Sequence, residues 1–104
     1  MHIAAENGHV AFVRALLTIH GIDLNVKNNN GVTPLYYAAL RGHAECVTEL
    51  LNTTGIDVNV THNDSLTPLH GAASEGHVVC VRALLTADGI DVNVQNDDGY
   101  TPLC

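Results

Sequence analysis

The side chains best suited to chemistry in this 104-residue chain are its seven histidines and three cysteines. His43 and Cys46 stand three residues apart, and so do His77 and Cys80. On a helix that spacing puts both side chains near one face. Imidazole and thiolate are common zinc ligands, so a metal site is the first hypothesis. A cysteine nucleophile is the second. Acid–base chemistry at the neighbouring carboxylates Asp97 and Asp98 is the third. Each depends on where the surrounding elements place these groups.

The elements are set by a repeat. Thr-Pro occurs at Thr33-Pro34, Thr67-Pro68 and Thr101-Pro102, at intervals of 34 residues. His9, His43 and His77 keep the same register, each after a glycine (Gly8, Gly42, Gly76), as do Leu16-Leu17, Leu50-Leu51 and Leu84-Leu85. A fixed period of this size means stacked supersecondary units, each touching its neighbours. A residue that recurs in every unit builds the unit, and function is sought where the units differ.

The period argues against the first three hypotheses. Cys46 and Cys80 occupy the slot that Phe12 holds in the first copy, which marks a packing position. Equivalent atoms on stacked helices lie about 8–10 Å apart. Zinc ligands must converge to about 2.0–2.3 Å from one centre, and a disulfide also needs closer approach. No metal is therefore expected, and Cys46 and Cys80 are expected to be buried, reduced and unreactive. The histidines after glycine belong to the joint between helices, where a ring nitrogen can satisfy backbone groups. His20 and His62 have no counterpart in the repeat and are expected to be exposed. Ser65 and Ser74 lie in no strand–turn–helix nucleophile setting. The repeat glycines are isolated helix stops, not a phosphate loop. Asp97-Asp98 falls at a loop tip, where solvation is the expected role. No catalysis and no cofactor are expected.

Composition narrows the class further. Eleven acidic residues against Arg14, Lys27, Arg41 and Arg82 give a formal net charge of −7. That leaves no cationic cluster to displace counterions from nucleic acid or to hold an anionic membrane. A hydrophobic content of 46% argues for a folded chain despite Asn28-Asn29-Asn30. Met1–Val10 has neither the basic start nor the apolar run of a signal peptide, and no stretch approaches the roughly 20 apolar residues of a membrane helix. A cytoplasmic or nuclear protein, neither secreted nor membrane-bound, is expected.

Read residue by residue, Thr33 is an N-cap and Pro34 a first helical residue. Leu35, Ala38 and Ala39 form a stripe whose alanines let a neighbouring helix approach. Gly42 ends this short helix. A second, antiparallel helix is predicted over about Ala44–Thr53, with Val47, Leu50 and Leu51 inward and Cys46 widening the apolar stripe. Gly55 stops it. Ile56-Asp57-Val58-Asn59-Val60 then alternates as an extended arm leading to the turn formers before the next Thr-Pro. Units follow as a partial first repeat over residues 1–32, a second over 33–66, a third over 67–100 and the start of a fourth over 101–104. These boundaries cut through units, which points to an excerpt of a longer array, with apolar ends and marginal stability in isolation.

Thr33-Pro34-Leu35, Thr67-Pro68-Leu69-His70 with Ala72-Ala73, Gly76-His77, Leu84-Leu85 and Gly89-Ile90-Asp91-Val92-Asn93 resemble the ankyrin repeat across nearly the whole chain. Each unit here is one residue longer than the roughly 33 usual for that family. The tetratricopeptide repeat shares the period, but its large aromatic positions are absent here. Tyr36 stands in place of the histidine found at His70. Ser65 replaces the turn glycine seen as Gly31 and Gly99, so a looser turn is expected there. Ile22, Ile56 and Ile90 replace a small alanine.

The resemblance implies an all-α solenoid of helix–turn–helix units with extended loop arms. It also implies a protein–protein interaction scaffold whose partner is another protein, bound at the loop tips and the concave first-helix face. Carried over residue by residue, the tips are Asn29, Asn30 and Val32, then Asn63, Asp64 and Leu66, then Asp97, Asp98 and Tyr100. The first-helix positions are Glu6, Asn7, Leu40, Arg41, Ser74 and Glu75. Tyr100, Leu66 and Arg41 are the anchors by residue type. Asn25, Asn59 and Asn93 match the asparagine that hydroxylases modify in the family. Two other roles stay open: a targeting arm of a larger enzyme such as a kinase or ubiquitin ligase, and a spacer that binds nothing.

Overall fold

The computed structural model describes residues 1–19, 23–62 and 65–102. Among them are six helices in three pairs: α1 (His2–Glu6) with α2 (Val10–Leu17), α3 (Pro34–Arg41) with α4 (Ala44–Leu51), and α5 (Pro68–Ser74) with α6 (Val78–Leu85). The first helices pack side by side as α1–α3–α5, and the second helices as α2–α4–α6. This is the two-layer stack expected of a helical-hairpin repeat.

Local sequence explains the helix ends. The Thr33 hydroxyl accepts from the Tyr36 amide at 3.3 Å, Pro34 takes the first position, and Gly42 closes α3 in the left-handed conformation. Thr67 caps α5 in the same way. The second helix is shorter than the sequence predicts. It stops at Leu51, with Asn52 as its C-cap. Thr53 then turns back, its hydroxyl donating to the Glu49 carbonyl and its amide to the Leu50 carbonyl.

The core runs between the layers. Leu35, Leu50, Leu69 and Leu84 are fully buried, and Ala5, Ala38 and Ala72 sit where the first helices meet. Cys46 and Cys80 are each 1% exposed. Phe12, in the same slot, is 64% exposed. The slot faces the preceding hairpin, and α2 has solvent on that side. Ile3 is exposed as well. Leu103, expected at the other apolar end, and Cys104 lie outside the described residues, as do His20 and Ile22.

The alternating segment, expected as an extended arm, contains a turn. Val58 and Asn59 form a turn, as do Val92 and Asn93. Asparagine clips from the preceding unit hold these turns. The Asn25 amide nitrogen donates to the Gly55 carbonyl at 2.9 Å while its oxygen accepts from the Asp57 amide at 2.8 Å. Asn59 makes the same two bonds to Gly89 and Asp91, at 2.7 and 2.8 Å. The alternation is therefore used to bury Val58 and to stitch units together, not to pair strands. Of the three asparagines given as hydroxylation candidates, Asn25 and Asn59 are occupied by these clips, and Asn93 is exposed.

Candidate functional site

The loop tips are tight turns built by asparagine. Asn28 Oδ1 accepts from the amides of Asn30 and Val32 at 2.9 and 3.1 Å, and Asn96 Oδ1 accepts from those of Asp98 and Tyr100 at 2.9 and 3.0 Å. Such side-chain-to-backbone bonds replace ladder bonds at the tip. The middle turn has His62 in the asparagine position and Ser65 in the glycine position. At its described residues the backbone closure is kept. Ser65 donates to the His62 carbonyl at 2.9 Å and His62 to the Leu66 carbonyl at 3.1 Å, matching the bonds of the other two turns.

The substitution shows instead as backbone strain, because Ser65 holds φ +62°, the only positive φ outside glycine among the described residues. A left-handed non-glycine residue costs about 1–2 kcal/mol, and the greater freedom of glycine in the unfolded chain offsets about 0.5–1 of that. Ser65→Gly is therefore expected to stabilise the chain by about 0.5–1 kcal/mol, read as a higher urea midpoint with an unchanged slope. An unchanged midpoint would refute the strain. His62 is not fully exposed as expected. Its ring meets the edge of Tyr36, with centroids 4.7 Å apart.

The residues expected to meet a partner fall into distinct settings. Asn29, Asn30, Asp97 and Asp98 are exposed, and Tyr100 is 60% exposed. Leu66 is half-buried. Val32 is 8% exposed and offers a partner almost nothing beyond its backbone, whose carbonyl already accepts from His2 Nε2 at 2.8 Å. Asn63 and Asp64 lie outside the described residues. On the first helices Asn7, Arg41, Ser74 and Glu75 are exposed, while Glu6 and Leu40 are half-buried. Arg41 is engaged within the chain, with a guanidinium nitrogen 3.2 Å from a Glu6 carboxylate oxygen.

Three of the expected contacts come together at one place. Leu66, Ser74 and Tyr100 line a recess of about 350 Å³ between the tips and α5. A second recess of about 360 Å³ is lined by Leu66, Asn96, Asp97 and Asp98. Leu66 and Asn96 border both, so the two form one groove. Asn29, Asn30 and Arg41 lie outside it. Sequence reading missed Tyr36, Ala73 and Pro102, which also line the groove. Tyr36 could have been found, since it breaks the Thr-Pro-Leu-His pattern. The other two repeat or cap the unit and carry no signal. Room for the Tyr36 ring comes from Gly71 inside α5, where an added Cβ would lie 3.2 Å from it.

His70 positions the last tip. Its Nδ1 accepts from the Thr67 amide at 3.1 Å, which makes Nε2 the protonated nitrogen. Nε2 then donates to the Tyr100 carbonyl at 3.1 Å. One buried imidazole thus ties the cap of α5 to the tip that bears Asp97, Asp98 and Tyr100.

The groups singled out for chemistry are used for packing. His43 Nε2 donates to the Glu6 carbonyl at 2.8 Å, and its ring lies against Gly8. The His77 ring lies against Gly42 in the same way. The joint histidines therefore bridge consecutive hairpins rather than the two helices of their own. Burial pushes the thiols of Cys46 and Cys80 up from the ordinary range, which disfavours thiolate. Among the described residues no three His, Cys, Asp or Glu side chains are grouped to hold a metal ion. Among them, too, no helix is long and apolar enough to cross a membrane.

A stack of helical hairpins with capped first helices, histidine bridges between hairpins and asparagine-built tips defines an α-solenoid repeat protein. Residues 1–62 match the family model described as Ankyrin repeats (3 copies), and residues 50–103 match the one described as Ankyrin repeats (many copies). The chain belongs to the ankyrin repeat family. Ankyrin repeats are generally protein–protein interaction modules and typically non-catalytic. No curated protein matches the chain.

Proposed function

We propose that this chain is a protein-recognition module that receives its partner on the tips and the adjoining surface of the first helices. One observation carries the reading. Side chains shared by the units, such as Leu35 with Leu69 and Leu50 with Leu84, are fully buried. Among the side chains that differ between the second and third units at the tips and on the first helices, Leu66 and Tyr100 line an open groove and Arg41 and Glu75 face solvent. Variation in contact with solvent costs the stack nothing and is free to encode a partner. Tyr100 supplies the large amphipathic surface that binding hot spots favour.

The test is a triple variant, Arg41→Ala with Leu66→Ala and Tyr100→Ala, used alongside the parent chain in affinity capture from cell extract. The variant is expected to lose captured partners while keeping its helical circular dichroism. Undiminished capture by a folded variant would favour a spacer and overturn the reading.

A further inference from the structure

We infer that the groove takes a segment of another protein carrying a large apolar side chain beside arginine or lysine. The inference rests on the recognition reading above and adds the chemistry of the partner.

The groove has two halves of different character. The half around Leu66, Tyr100 and Pro102 joins these apolar groups to the polar His70, Ser74 and Asn96, and at about 350 Å³ it accommodates one large side chain. The adjoining half is bordered by Asp97 and Asp98, both exposed. Among the described residues neither carboxylate has an ion-pair partner, and the ion pairs lie elsewhere, at Arg14–Glu49 and Arg41–Glu6. None of the four cationic residues, Arg14, Lys27, Arg41 and Arg82, lines either half. Arg41, the one cation on the first helices, is already tied to Glu6. Glu75, one residue after Ser74, adds a further exposed carboxylate to α5.

The field at this groove is therefore negative and unbalanced by the chain itself, so complementarity calls for a cation. Guanidinium suits a carboxylate best, because its planar fork can donate two parallel bonds to one. The tip is also held ready. Asn96 Oδ1 fixes the amides of Asp98 and Tyr100, and His70 fixes the Tyr100 carbonyl. Binding thus orders little that is not already ordered, which favours affinity. An acidic segment would meet like charge, and a neutral one would leave two carboxylates desolvated without compensation.

The experiment uses three fluorescein-labelled peptides with the same leucine and phenylalanine positions, bearing arginine, serine or glutamate between them. Anisotropy gives affinity, and hydrogen exchange maps protection. The arginine peptide is expected to bind about tenfold or more tightly than the serine peptide, and the glutamate peptide not at all. The advantage is expected to vanish in Asp97→Asn with Asp98→Asn. It is expected to persist in the charge-matched control Glu45→Gln with Asp88→Asn, which are exposed residues outside the groove. Tyr100→Ala is expected to weaken the arginine and serine peptides alike. Protection should map to Leu66, Ser74 and residues 96–100.

If the serine or glutamate peptide binds as well as the arginine one and protects those residues, the partner chemistry is overturned while the recognition surface stands. Equal loss of the arginine advantage in the control variant overturns it as bulk charge attraction. Protection on α2, α4 and α6 overturns both the inference and the reading beneath it. Failure of all three peptides to bind overturns the inference.

Discussion

Leu50→Ala is expected to destabilise the chain by about 3–5 kcal/mol, the largest effect of any single truncation considered. Leu50 has no accessible surface, and α4 is packed against both α2 and α6. Each neighbour is also packed on its own first helix, α2 on α1 and α6 on α5, so the hole left by the missing carbons cannot collapse fully. The loss is a large share of the roughly 5–15 kcal/mol that a domain of ordinary stability has to spare. Urea unfolding followed by far-UV circular dichroism should show either a much lower midpoint or no folded baseline. Leu85→Ala is the control. It occupies the position of Leu51 one unit on, yet is exposed where Leu51 is half-buried. Its cost should stay near or below 1 kcal/mol. Similar losses for the two variants would mean that the stack does not bury Leu50 as described.

The second large effect lies at the joints between hairpins. Gly42 holds φ +78°, and an added Cβ would fall 2.6 Å from Nδ1 of His77, inside contact distance. Gly76 holds φ +71° but has nothing within 4 Å of that position. Gly76→Ala therefore meets only the left-handed backbone penalty, about 1 kcal/mol after the unfolded-chain term is set against it. Gly42→Ala meets that penalty and must also displace a ring, which adds about 1–3 kcal/mol. The expected total is about 2–4 kcal/mol. A double-mutant cycle isolates the contact. In a His77→Ala background, Gly42→Ala should cost no more than Gly76→Ala does alone. Equal costs for the two glycine variants in the parent chain would sink the claim that His77 stands in the Gly42 joint. The surface ion pairs Arg14–Glu49 and Arg41–Glu6 also link successive hairpins, but they are solvent-exposed and are worth far less than these joints.

The same comparison separates two sources of information. A thiol and an imidazole three residues apart suggested a metal, and the repeat alone argued that away, because Phe12 shares the cysteine slot. Cys46 and Cys80 are buried as a packing slot requires, yet Phe12 in the same slot is exposed. Packing slots are defined by what lies on the far side, and among the described residues no hairpin packs on that side of α2. The histidine joints were legible as joints. That the His43 and His77 rings reach back to the previous hairpin was not, since contacts more than thirty residues apart leave no local trace. Ser65 was legible as a departure, but whether the turn would loosen or strain depended on hydrogen bonds made by its neighbours. The alternating segment reads as an extended arm but turns at Val58-Asn59, because period-two burial suits a clipped turn as well as extended backbone.

The candidate surface divides along the same line. Residue type and register nominated Leu66, Asp97, Asp98 and Tyr100. Register also nominated Val32, which stands in the same place as Leu66 and Tyr100 but is nearly sealed. The chain's sequence by itself determined the unit: its caps, its helix stops, its buried leucines and the spacing at which all of them return. These are near-neighbour properties, encoded within a few residues. Only the tertiary structure decided which member of each equivalent set meets solvent. Exposure depends on what is stacked against a side chain, and equal residues at equal register acquire different surroundings along a stack.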